Sequence, residues 1–136
     1  MTALLRVLVC SVTIFAPLMM RSTMAQGSLD VWIGTGGGTA KGIYHATLNT
    51  KTGKISATDL AAEIGRPGFL AMNPKGTHLY AVGTLDEPCV AAYKIEGKLN
   101  NAKLTFVNSI AIGDGGAAHI AIAPTGSMIL TAQYGG

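Results

Sequence analysis

Cysteine is scarce in this 136-residue chain, which has only Cys10 and Cys89. Neither sits near a second cysteine or a histidine at metal-ligand spacing, so a structural zinc site is excluded. The three histidines, His45, His78 and His119, are likewise scattered. No Ser-His-Asp arrangement and no paired carboxylates can be picked out. Basic clusters are missing too: ten Lys and Arg face seven Asp and Glu, for a formal net charge of +3. With no basic stripe and no interleaved aromatics, nucleic acid is not an expected partner.

The N-terminus accounts for much of that small positive excess. Arg6 ends a short basic region, Val7 to Met20 is apolar apart from Ser11 and Thr13, and Thr23-Met-Ala25 supplies small residues at a cleavage position. This pattern reads as a secretory signal over residues 1–25, with a buried N-terminal helix as the alternative. The apolar run is short for a membrane span, which needs about 20 residues. Cleavage would remove Arg6, Arg21 and Cys10, leaving eight basic residues against seven acidic ones. The mature protein is then expected in the periplasm or outside the cell, with no membrane association. Cys89 alone cannot form an intrachain disulfide there, and reads as a small core residue or an idle thiol.

What the chain does have is a repeat. Phe69-Leu-Ala-Met-Asn-Pro-Lys-Gly-Thr-His-Leu-Tyr-Ala-Val82 returns as His119-Ile-Ala-Ile-Ala-Pro-Thr-Gly-Ser-Met-Ile-Leu-Thr-Ala132. Each copy is an apolar run, an X-Pro-X-Gly turn and a second apolar run. Pro presets φ at the second turn position, Asn73 can bond the local backbone, and Gly suits the fourth position. Val31 to Thr35 matches Tyr80 to Thr84 at an offset of 49, as do Tyr44 with Tyr93 and Lys54-Ile-Ser with Lys103-Leu-Thr. A period of about 50 residues with four short strands per unit predicts an all-β fold, a β-propeller of four-stranded blades.

Strands are expected over residues 29–35, 42–48 and 54–60, with Gly53 left-handed in the turn between the last two. Residues 61–67 should lead back to an inner strand, with room for one helical turn at most before Pro67. The second unit is completed by strands over 89–95 and 103–112. Small apolar residues on both strand faces, as in Ile120-Ala-Ile-Ala123, suit sheets covered by neighbouring blades. Gly34-Thr-Gly-Gly-Gly38 follows a strand, but no Gly-Lys-Ser/Thr and no helical pattern follow it. It reads as a flexible connection rather than a phosphate loop.

Three segments together resemble the lactonase family. They are Gly34-Thr…Lys41-Gly-Ile-Tyr44, Asn73-Pro-Lys-Gly…Leu79-Tyr-Ala-Val82 and Gly116-Ala-Ala-His-Ile…Pro-Thr-Gly…Ala132-Gln-Tyr-Gly-Gly136. These are seven-bladed propellers that include bacterial 6-phosphogluconolactonase and a fungal muconate-lactonising enzyme. The resemblance implies a hydrolase opening a sugar lactone to the sugar acid, with no cofactor. Seven blades need roughly 340 residues, so residues 26–136 are expected to form about two blades and part of a third, an incomplete N-terminal part of the domain. A fragment of that kind is expected to be inactive and to self-associate through open blade faces. Alternatives are a non-catalytic binding module and a lactonising isomerase of the same family. The resemblance breaks at two places: Gly83-Thr84 stands where relatives carry Asn-Glu, and Gln133 where they carry Asn.

Lactone hydrolysis needs a base for water, donors for the developing oxyanion and a cation for a phosphorylated substrate. His119, just ahead of an expected innermost strand, is the candidate catalytic base, with a structural role as the alternative. Arg66, ahead of the equivalent strand, is the candidate substrate-binding cation, with a solvated arginine as the alternative. His45 and His78 read as surface strand positions. Asp114 alone is too little for Ca²⁺ or Mg²⁺, so no metal site is expected.

Overall fold

The computed structural model describes residues 27–113 and 115–134. The expected signal segment and Asp114 lie outside the described residues. The rest is nine strands in three antiparallel sheets. β1 (Ser28–Ile33), β2 (Gly42–Asn49) and β3 (Asp59–Glu63) form the first sheet, in that order. β4 (Gly65–Met72), β5 (His78–Thr84), β6 (Pro88–Glu96) and β7 (Lys103–Ala111) form the second. β8 (Ala117–Ile122) and β9 (Ile129–Gln133) form the third. The only helical segment among the described residues is one 3₁₀ turn, Leu99–Asn101. The all-β propeller expectation is met.

The repeated turns fold as their residues dictate. Gly76 N–H donates to the Asn73 carbonyl at 2.9 Å, and Gly126 N–H to the Ala123 carbonyl at 2.7 Å. Both glycines then take positive φ, 66° and 75°, which glycine adopts without a Cβ clash. Asn73 adds a clamp that Ala123 cannot: its side-chain carbonyl accepts from the N–H groups of Thr77 (2.8 Å) and His78 (3.0 Å).

Two sequence expectations need correction. The third strand does not start at Lys54. The Ser56 hydroxyl accepts from Thr47 N–H at 3.0 Å and donates to the Ala57 carbonyl at 2.8 Å, while only one bridge, Leu48 to Ile55, joins the ladder there. These local bonds hold residues 54–58 out of regular pairing, and β3 begins at Asp59. Lys54 is therefore not the counterpart of Lys103. Both sheets carry a bulge just before the paired tyrosine, and Tyr44 faces Leu60 as Tyr93 faces Phe106, an offset of 46 for the outer strand. Nor do residues 61–67 make a helical turn. Ala61 to Glu63 belong to β3 and Gly65 to Pro67 to β4, with Ile64 alone between them. Ile64 is buried in the core and its N–H donates to the Lys41 carbonyl at 3.2 Å, so the chain reverses around a side chain that cannot leave.

The main core lies between the first two sheets. Ile43, Ile64, Leu79, Ala81, Cys89, Ala91 and Tyr93 form one buried cluster, with Trp32, Leu70 and Leu104 packed against it. Fully burying a large aliphatic side chain such as Ile43 stabilises by about 1.5–3 kcal/mol. Close backbone approach makes some glycines obligatory. A Cβ on Gly83 would lie 2.8 Å from Ile64 Cδ1 and 2.9 Å from the Gly65 carbonyl oxygen. The third sheet packs β8 against β4 and β5.

Candidate functional site

The period of 50 residues sets the geometry of the inner strands. A repeat that packs beside its predecessor brings equivalent positions together, and Phe69 and His119 are such a pair. Their rings lie 4.3 Å apart between centroids, tilted by 53°. His119 lies inside β8, two residues past its start, rather than ahead of the strand as the sequence suggested. It is exposed and shares a hollow with Ala118, Ala132, Gln133 and Tyr134. Among the described residues no side chain is hydrogen-bonded to it.

Arg66 is one step earlier on β4, and its backbone is unusual. Its φ is 47°, in the left-handed region that residues with a Cβ avoid. The following Pro67 disfavours helical backbone at this position further. The equivalent residue 50 positions on is Gly116, with φ of 81°. The repeat thus asks for a left-handed residue where each inner strand starts. The third sheet meets it with glycine, the second with arginine.

Arg66 borders a cavity of about 210 Å³ with Thr84, Pro88, Gly115, Gly116 and Ala117. Thr84 stands where the family pattern has Glu, so the wall of this cavity carries a hydroxyl in place of a carboxylate. Arg66 has no salt bridge among the described residues. Gly83, the other departure, is explained by the closeness of Ile64 and Gly65 already described. Arg66 and His119 therefore sit on adjacent inner strands but open onto separate hollows; the structure does not bring them into one constellation.

A histidine that sequence reasoning assigned to the surface is buried instead. His45 is 8% exposed, its Nε2 is 2.8 Å from Asp30 Oδ1, and its ring lies 4.7 Å from Trp32. The same Asp30 oxygen accepts from Leu99 N–H at 2.8 Å, across 69 residues of chain. Leu99 is itself left-handed, with φ of 51°. Asp30 thus holds the second sheet's 3₁₀ turn against the first sheet, and His45 orients Asp30. His45 also forms part of a mixed polar and apolar cleft with Thr47, Ser56, Asp59, Leu60 and Asn100. The available signal was that Asp30-x-Trp32 and His45-x-Thr47 each point one way on facing strands. His78 is half-buried, with Nδ1 3.0 Å from the Thr77 hydroxyl.

Cys89 lies in the core, where burial raises its thiol pKa. Tyr93 is raised for the same reason. Among the described residues no cluster of three or more His, Cys, Asp or Glu is placed to hold a metal ion.

Comparison with known proteins places this architecture. Residues 30–136 match the family model described as lactonase, 7-bladed beta-propeller. The chain is 35% identical over 98 residues to the 6-phosphogluconolactonase of Bacillus subtilis, covering 71% of this chain and 28% of that protein. A solved structure from Bacteroides uniformis, provisionally described as a 6-phosphogluconolactonase, aligns with a TM-score of 0.71 at 25% identity, covering 82% of this chain and 32% of that one. A Lactobacillus plantarum protein aligns with a TM-score of 0.67 at 27% identity, covering 79% and 30%. The chain therefore spans about a third or less of the length of these relatives. The family match over most of the sequence and the three packed antiparallel sheets agree, and the chain belongs to the seven-bladed lactonase family.

Proposed function

We propose that this chain contributes the first blades of an exported hydrolase that opens a sugar lactone to the sugar acid, acting on substrates like that of 6-phosphogluconolactonase. The observation that carries the reading is the 35% identity to the Bacillus enzyme over 98 residues. Arg66 supports it: an arginine kept in strained backbone beside a cavity whose neighbouring side chain is a neutral Thr84 suits an incoming anion. In this reading Arg66 holds the anionic end of the substrate and His119 takes a proton from the attacking water. Their separate hollows mean that further groups must complete the site. This polypeptide alone accordingly turns over no lactone above background.

A chimera tests the proposal. Residues 30–136 replace the corresponding segment of the Bacillus subtilis relative, and hydrolysis of 6-phosphogluconolactone is followed by acid release. An active chimera that loses activity with His119→Ala, and whose KM rises with Arg66→Ala, is expected. A folded, monodisperse chimera without hydrolysis refutes the reading.

A non-catalytic binding module is the second reading, favoured by the missing hydrogen-bond partner for His119 among the described residues. It predicts a chimera that binds the lactone without hydrolysing it.

A further inference from the structure

His45 has a ring nitrogen to spare. Its Nε2 meets Asp30 Oδ1, and that oxygen also accepts from Leu99 N–H, so the imidazole is the donor of their bond. In the neutral ring the other nitrogen, Nδ1, then carries a lone pair and accepts. Among the described residues Nδ1 has no hydrogen-bond partner, yet it is not sealed off. The one unpartnered side-chain atom there that water cannot reach is the Tyr93 hydroxyl. An otherwise buried imidazole therefore presents one open acceptor, and the cleft that the ring borders, about 370 Å³, is where solvent meets it.

Strand register puts a carboxylate beside that acceptor. β2 is the central strand of its sheet, and His45 pairs with Trp32 of β1 on one side and Asp59 of β3 on the other. Directly opposite residues share a face, with Cβ atoms about 4.5–5.5 Å apart. Nε2 is committed to β1 through Asp30, which leaves the other edge of the ring to the β3 side. Asp59 is exposed and has no ion pair among the described residues. No lysine or arginine lines the cleft. Ser56 offers no donor, because its hydroxyl proton goes to the Ala57 carbonyl. Asn100, from the 3₁₀ turn that Asp30 anchors, adds an amide, and Leu60 adds apolar surface.

A lone pair and a free carboxylate on one face, with no cation near them, suit a positively charged donor. A bare metal ion fits poorly, since no three His, Cys, Asp or Glu converge here among the described residues. The volume is instead that of a small organic ligand, within the usual span of about 300–1,000 Å³. We propose that the cleft binds a small organic ammonium, whose N–H groups donate to His45 Nδ1 and to the Asp59 carboxylate. Leu60 and its apolar neighbours cover the carbon skeleton. The binding groups come from β2, β3 and the 3₁₀ turn, so the site is independent of Arg66, His119 and the lactonase reading.

A matched pair of probes tests this on the purified, ¹⁵N-labelled full chain at pH 8. Cyclopentylamine is an ammonium there, as a lysine side chain is, and cyclopentanol has nearly the same shape without the charge. The wild type should prefer the ammonium by about tenfold, the worth of one charge-assisted hydrogen bond. Asp59→Asn should weaken the ammonium by about threefold or more and leave the alcohol unchanged. Asp86→Asn, a carboxylate outside the cleft, should alter neither. In ¹H–¹⁵N spectra of the imidazoles, saturating ammonium should move the Nδ1 signal of His45 and leave those of His78 in place. Failure to bind the ammonium, equal binding of the two probes, full affinity in Asp59→Asn, or an unmoved His45 Nδ1 signal would each overturn the proposal.

Discussion

Replacing Arg66 with glycine should make the protein more stable. Most substitutions in a strand do the reverse, and glycine within a strand is ordinarily a loss. Here the backbone is left-handed at φ of 47°, a conformation that costs a residue with a Cβ roughly 1–2 kcal/mol. Glycine removes that cost but gives back about 0.5–1 kcal/mol through the greater freedom of the unfolded chain. The Arg66 side chain is exposed and has no ion pair among the described residues, so little is lost with it. The net gain is about 0.5–1 kcal/mol. With a urea slope of about 1–3 kcal/mol/M, the unfolding midpoint should rise by roughly 0.2–1 M at unchanged slope. Gly116→Arg, the reciprocal change, should lower it by a similar amount. A lower midpoint for Arg66→Gly would show that the arginine stabilises the fold, and that the backbone strain is not a cost borne for binding. The functional counterpart belongs in the chimera. There the same variant should lose affinity for a phosphorylated lactone while gaining stability, a split that a purely structural arginine does not produce.

Gly76→Val and Gly126→Val should each destabilise by about 1 kcal/mol or more, because both positions need positive φ; unchanged melting temperatures would disprove the turn assignment. Asp30→Ala should destabilise more than Asp30→Asn, since the amide oxygen can still accept from Leu99 N–H; equal losses would show that this link contributes nothing. Stability should fall as pH rises through about 9 and beyond. Burial raises the pKa of Cys89 above its ordinary value of 9.0 and that of Tyr93 above 10.0, so the unfolded chain releases these protons first and gains from doing so. Urea midpoints between pH 7 and pH 10.5 test this, and Cys89→Ala should flatten the first part of the decline. Intact mass of exported material should begin at Gln26, and a mature protein that keeps residues 1–25 would refute the leader.

The features legible in the sequence were those whose cause is local or periodic. Pro74 and Gly76 announce their turn within four residues, and Phe69 foretells its neighbour because His119 stands one period on. The missed features depend on partners that no local pattern reveals. His45 read as a surface residue because Asp30 reaches it only through strand pairing, and Leu99 reaches Asp30 only across two sheets. The start of β3 was misplaced because Ser56 bonds its own neighbourhood instead of continuing the ladder. Arg66 was noticed for its charge, but its strain shows only in its backbone angle and in the comparison with Gly116. The unpaired Tyr93 was invisible for the opposite reason, since its sequence neighbourhood repeats that of Tyr44 while its hydrogen-bonding does not.

The contact between the tilted rings of Phe69 and His119 turns the repeat into a coordinate system. Fifty residues along the chain carry one inner strand onto the next, so position within the period picks out which residues neighbour each other between β4 and β8, and repeat number picks out the sheet. Phe69 and His119 are one such pair, and Arg66 and Gly116 occupy the same relation three residues earlier. On this map a substitution on β4 has its counterpart on β8 fifty residues later, and either member of a pair can be altered alone.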